Sequence, residues 1–107
     1  MTSWLGATAL SALYLLAQAE LDCARPSVAR DLIGRLRLAE IEWAEDVNRA
    51  AMWEAFGRCA GSPTAEACRE AERRQFAAEL ERQRADIDAK YQRMQKEFEA
   101  RCRASIT

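Results

Sequence analysis

The sequence predicts an all-α fold, a long antiparallel helical hairpin of coiled-coil character preceded by an apolar N-terminal helix. Three observations carry that expectation. The stretch from Thr64 to Arg103 contains neither Gly nor Pro, and Ala, Glu, Arg, Gln and Leu, all good helix formers, dominate it. The 4 cysteines bound two intervals of nearly equal length, Cys23 to Cys59 and Cys68 to Cys102. Between those intervals lies Gly61-Ser62-Pro63, the clearest turn signal in the chain. Alternating runs of Val, Ile, Thr and aromatics, the mark of strands, are missing.

The first nineteen residues are uncharged. Leu10-Ser11-Ala12-Leu13-Tyr14-Leu15-Leu16 fits the apolar core of an export signal, and Ala17-Gln18-Ala19 the small-x-small pattern a signal peptidase cuts, with Glu20 just beyond. The segment lacks the basic residue that usually opens such a leader. Three readings follow: a cleaved signal peptide, a membrane anchor through residues 4–19, or a buried first helix capped by Thr2 or Ser3. The apolar run is at the short end of what spans a bilayer, for which about 20 residues are usual. The domain division is therefore 1–19 as leader or anchor and 20–107 as the hairpin, with helices over about 27–58 and 63–103.

Arg25-Pro26-Ser27 breaks the leader and begins the next helix, because Pro suits a first turn and Ser27 is a suitable cap. Along that helix Leu32, Leu36, Ala39, Trp43, Val47, Ala50 and Trp53 step by three or four and predict the buried stripe. A second, weaker stripe runs through Leu38, Ile41, Met52 and Ala55, so the helix should meet more than one neighbour. Gly34 weakens it by about 1 kcal/mol against Ala. The acidic cluster Glu40, Glu42, Glu45 and Asp46 has no histidine to complete a carboxylate-bridged metal site, because the chain has none.

At the turn, Gly61 suits a left-handed position after a helix end, and Ser62-Pro63 an N-cap and first helical residue. The last helix then repeats Leu80, Ile87, Met94 and Arg101 every seven residues, with Ala77, Arg84, Tyr91 and Phe98 between them. That is a coiled-coil seam with Arg84 as its flaw and Phe76 beside it. Its other face carries opposite charges four apart, among them Glu70–Arg74, Arg82–Asp86, Asp86–Lys90 and Glu97–Arg101. Each such pair is worth a few tenths of a kcal/mol.

The two cysteine-bounded arms would measure about 54 and 51 Å as helices. Only one pairing then keeps Cα atoms within disulfide reach: Cys59–Cys68 at the turn and Cys23–Cys102 at the open end. Thirty-four residues separate Cys68 from Cys102, about 9.4 turns, so the two do not share one face of a straight helix. Either the first turn is loosely wound or the helices supercoil. Two structural disulfides place the chain in an oxidising compartment such as the bacterial periplasm, with anchoring in the inner membrane as a further option.

The pair Cys59 and Cys68 followed by Asp86-Ile87-Asp88-Ala89-Lys90-Tyr91 is similar to a segment of small periplasmic lysozyme inhibitors, although their Gln-x-x-Trp-x-x-x-Arg segment is missing here. An apolar N-terminal helix before a cysteine-containing coiled coil resembles phage inner-membrane spanins. The first resemblance implies an enzyme inhibitor, the second an envelope coiled coil. From the residues themselves we expect a non-enzymatic, exported or membrane-anchored hairpin that acts by protein–protein interaction, with another protein or with itself. Trp43, Trp53, Phe56, Tyr91 and Phe98 are the candidate contacts, wherever the hairpin leaves them exposed. No catalytic residue, metal, cofactor or small-molecule substrate is expected. Sixteen basic against seventeen acidic residues, for a net charge of −1, leave no basic excess for nucleic acid.

Overall fold

The computed structural model describes residues 21–106, and the segment read above as leader or anchor lies outside them. The described chain is an all-α hairpin of two helices, α1 (Pro26–Cys59) and α2 (Ala65–Ile106), with no strand among the described residues. Its 42-residue α2 runs about 63 Å at 1.5 Å per residue. None of the described helices is long and apolar enough to cross a membrane.

Pro26 occupies the first turn of α1, so Ser27 lies inside the helix and does not cap it. Asp22 organises the entry instead. Its Oδ1 accepts the Ala24 N–H at 2.9 Å and its carbonyl accepts the Arg25 N–H at 3.1 Å. This turn holds Cys23 outside the helix and beside Cys102, where the bridge sets their Cα atoms 5.3 Å apart. Arg101 adds a second latch, its guanidinium donating to the Leu21 carbonyl at 3.0 Å.

At the other end Gly61 turns the chain at φ 85°, a conformation that side chains disfavour. Ser62 Oγ accepts the Thr64 N–H at 3.2 Å, and α2 begins at Ala65, two residues later than Pro63. The second bridge, Cys59–Cys68, closes this turn with Cα atoms 5.7 Å apart. Glu66 in the first turn accepts a hydrogen bond from Arg69 at 2.6 Å. That bond, Arg69's charge and the nearby Arg73 hold the Glu66 carboxyl below its ordinary pKa.

The seam on α2 passes through Cys68, Glu72, Phe76, Leu80, Gln83, Ile87, Tyr91, Met94, Phe98 and Cys102, all buried or half-buried. These nine steps average about 3.8 residues, more than the 3.5 of a heptad. The seven-residue repeat therefore holds only in the middle of the helix. Ala77, Arg84 and Arg101, read as seam positions, are exposed, and Phe76, Gln83 and Cys102 take their places. This drift removes the phase mismatch between the two cysteines of α2, whose first turn is regular: Cys68 donates to the Thr64 carbonyl at 2.9 Å.

On α1 the fully buried residues are Ala29, Ile33, Leu36, Ala44, Ala55 and Cys59. The stripe from Leu32 to Trp53 thus contributes only Leu36 to the fully buried core. The bridges fix the rotation of α1, because the Cys59 side must face α2. Small residues on that side (Ala29, Ala44 and Ala55) let the backbones approach. The Asn48 side chain reaches the Phe76 carbonyl at 2.9 Å, across the gap. The core is densest near the open end, where Ile33, Leu36, Tyr91 and Met94 cluster with Leu21, Leu32 and Ile87 around them.

Toward the middle, register is held by charge. Arg37 meets Asp88 at 2.6 Å, Lys90 meets Glu40 at 2.5 Å, and Arg84 meets Glu45 at 2.7 Å. Glu40 is the most enclosed of these, its side chain 12% exposed. Such pairs select one alignment more than they add stability, since exposed pairs are worth about 0–1 kcal/mol. On the outer face of α2, Glu70 does pair with Arg74, at 3.4 Å, while Arg82 turns back to Glu79.

Gly34 sits mid-helix in α1, and a Cβ there would meet nothing within 4 Å. Gly34→Ala is therefore expected to raise unfolding stability by about 0.5–1 kcal/mol, through lower backbone entropy in the unfolded chain. Chemical denaturation followed by circular dichroism measures it. A loss of stability would mean that the space beside Gly34 is occupied.

Candidate interaction surface

The surface that matters is what α1 leaves uncovered. At 100° per residue, Val28, Leu32, Ala39, Trp43, Ala50 and Trp53 fall within a sector about 80° wide, on one flank of the seam. Leu32, Ala39 and Trp43 are half-buried at its inner edge, and Ala50 is exposed. Val28 is 57% and Trp53 63% exposed. Leu38, Ile41, Met52 and Phe56 lie on the opposite flank, with Leu38 55% exposed. The two stripes read from the sequence thus lie mainly on the two shoulders of α1, while their members Leu36 and Ala55 are buried in the seam.

The candidate contacts divide accordingly. Trp53 and Phe56 stand together near the turn, their rings edge to face with centroids 5.5 Å apart. The Arg73 guanidinium lies over Phe56, 5.2 Å from its centroid, and covers part of that ring. Trp43 is on the same flank as Trp53, about 15 Å along the helix. Tyr91 and Phe98 are removed from the set, because at 2% and 5% exposure they are spent in the hairpin's own core. Val28 was missed, and Leu38, read as part of the second stripe, was not among the candidate contacts. Their signal was present, large apolar residues at helical phases that one neighbour cannot cover, but it reads as an interface only once the seam is placed.

The acidic cluster does not converge. Glu40 turns to Lys90, Glu45 to Arg84, and Asp46 to Arg49 at 3.2 Å. The four cysteines are consumed in the two bridges, and no free cysteine remains. The outer face of α2 contrasts with α1: Arg69, Arg73 and Arg74 pair with Glu66 and Glu70 there, and no large apolar residue on it is prominently exposed among the described residues. The outer face of α2 is the wet side, and the exposed large apolar residues are on α1.

Comparison with protein-family models, with curated proteins and with solved structures finds no match to this chain.

Proposed function

We propose that this protein is a non-enzymatic, disulfide-bridged helical hairpin, exported or held at the membrane by residues 1–19, that acts by binding protein through the apolar flank of α1. The observation that carries the reading is the exposure of Val28, Leu38 and Trp53 on the side of α1 turned away from α2. Trp is enriched among residues that anchor interfaces, and charged groups are depleted at interface centres. Trp43 and Trp53 fit the first statement, while Arg35 and Asp46 bring exposed charge into the same sector of α1. Two bridges fit an oxidising compartment, where such bonds persist.

A photo-reactive residue in place of Trp53 tests it in the cells that make the protein. A discrete adduct is expected from position 53. None is expected from position 74 on the wet side, where the Arg74 side chain is 80% exposed. Equal yields from the two positions, or no adduct at either, would overturn the reading.

A further inference from the structure

We propose that the partner of this flank is a second copy of the chain, docked antiparallel so that the two α1 helices lie side by side about a two-fold axis at the level of Ile41 along the helix. The inference rests on the reading of α1 as the binding face and names its occupant. It comes from a near-palindrome in the flank itself. Counted outward from Ile41, Ala39 and Trp43 lie two residues away on either side, Leu32 and Ala50 nine, and Val28 and Trp53 thirteen and twelve. An antiparallel copy therefore sets Trp43 against Ala39, Leu32 against Ala50, and Trp53 against Val28. Each is a large residue against a smaller one, the alternation that lets facing side chains interdigitate. A two-fold contact uses the same patch twice, so this self-complementarity is its structural requirement.

Charges within the flank and beside it repeat the symmetry with opposite sign. Arg35 and Asp46 stand six and five residues from Ile41, and Asp31 and Arg49 ten and eight. Within one chain they form the short pairs Asp31–Arg35 at 3.0 Å and Asp46–Arg49 at 3.2 Å. In the antiparallel pair, Arg35 of one copy meets Asp46 of the other, and Asp31 meets Arg49. Each of these two interactions occurs twice. Arg35 and Asp46 side chains are 78% and 73% exposed, so both are available to a second chain. Glu42 approaches its own copy near the axis, and this like-charge contact weakens the association without changing its geometry.

The strip from Val28 to Trp53 is about 38 Å long and about one helix diameter, 10 Å, wide. That is roughly 400 Å² a side, below the standard interface and in the range of reversible contacts. The dimer is therefore expected to be weak and to exchange. In it, α1 and its copy occupy the centre and the charged α2 helices the outside.

Sedimentation of the full chain over a concentration series, with the variants Arg35→Asp and Asp46→Arg, tests this. Each variant alone places two like-charged contacts in the dimer and is expected to associate at least roughly ten-fold more weakly than wild type. An equimolar mixture of the two variants has every contact of opposite sign, and is expected to regain wild-type association. Each single variant loses one intrahelical pair, and mixing cannot restore it, so recovery reports only the contact between chains. A wild-type chain that stays monomeric throughout, single variants that associate as wild type does, or a mixture that fails to recover would each overturn the proposal. The photo-adduct at position 53 separates this from the broader reading. Two copies linked from 53 to the segment around Val28 support both. An adduct to a different protein, with a monomeric chain, sinks the second copy alone, and no adduct sinks both.

Discussion

Replacing Cys23 and Cys102 together by alanine is expected to lower the stability of the hairpin by about 4–5 kcal/mol, the largest effect of any paired change in the molecule. The bridge spans 79 residues, so its loss frees the largest loop in the unfolded chain. The same change at Cys59 and Cys68, which span 9, is expected to cost about 2.5 kcal/mol on the same chain-entropy grounds. The native contacts point the same way. The open end also holds the Asp22 turn, the Arg101–Leu21 hydrogen bond and, further along, the core cluster around Tyr91 and Met94. The turn end has Gly61 and a short connection to bring its helices together without a bridge. Denaturation of the two double variants, followed by circular dichroism at 222 nm, a helix-sensitive wavelength, measures the difference. Equal losses from the two, or a loss under about 1 kcal/mol at Cys23–Cys102, would show that the long loop is not what the bridge restrains.

Phe98→Ala is expected to cost about 3–5 kcal/mol, the range for truncating a buried aromatic. Phe98 is 5% exposed, one step along the seam from Met94 and one from Cys102, with the Arg101 guanidinium 5.6 Å from its ring centroid. Two helices offer few neighbours to collapse into the space its ring leaves. Trp53→Ala is the matched control. It removes a larger ring, but from a site that is 63% exposed, and its effect on stability is expected to stay within about 0.5 kcal/mol. Binding, not folding, is what Trp53→Ala should impair. If the two substitutions destabilised equally, the division of aromatics between core and surface would be wrong.

That division was only half legible in the sequence. The two helices were plain because nothing between Thr64 and Arg103 breaks one, and because Gly61 and Pro63 mark where the chain must reverse. Which face of each helix turns inward was harder. A regular step of three or four from Leu32 to Trp53 looks like a core, and it is in fact a shoulder. Hydrophobicity alone does not fix the phase of α1, because apolar residues cover more than half of its circumference. The cysteines do fix it. A seam stepped back from Cys102 passes through Phe98, Met94 and Tyr91, and one stepped forward from Cys68 passes through Glu72 and Phe76. The two lines join only if the steps exceed a heptad, and that condition displaces Ala77, Arg84 and Arg101. The interaction surface is then whatever remains apolar on α1 after the seam is drawn. Val28 became visible only by that subtraction, whereas Leu38 already stood in the second stripe.

The position of the Cys23–Cys102 bridge also determines how the molecule answers a pull. Both ends of the described chain leave from the same end of the hairpin, one just before Cys23 and the other just after Cys102. Tension applied between them passes through the 5.3 Å crossing of the bridge and bypasses all of the chain between Cys23 and Cys102, reaching only the last turn of α2. An ordinary hairpin held by its ends would unzip. This one stays folded until a reductant cuts the bridges, after which about 270 Å of extended chain is released. If residues 1–19 fasten the protein to a membrane and its far end is held elsewhere, the hairpin can stand in a loaded tether and still present its apolar flank undistorted.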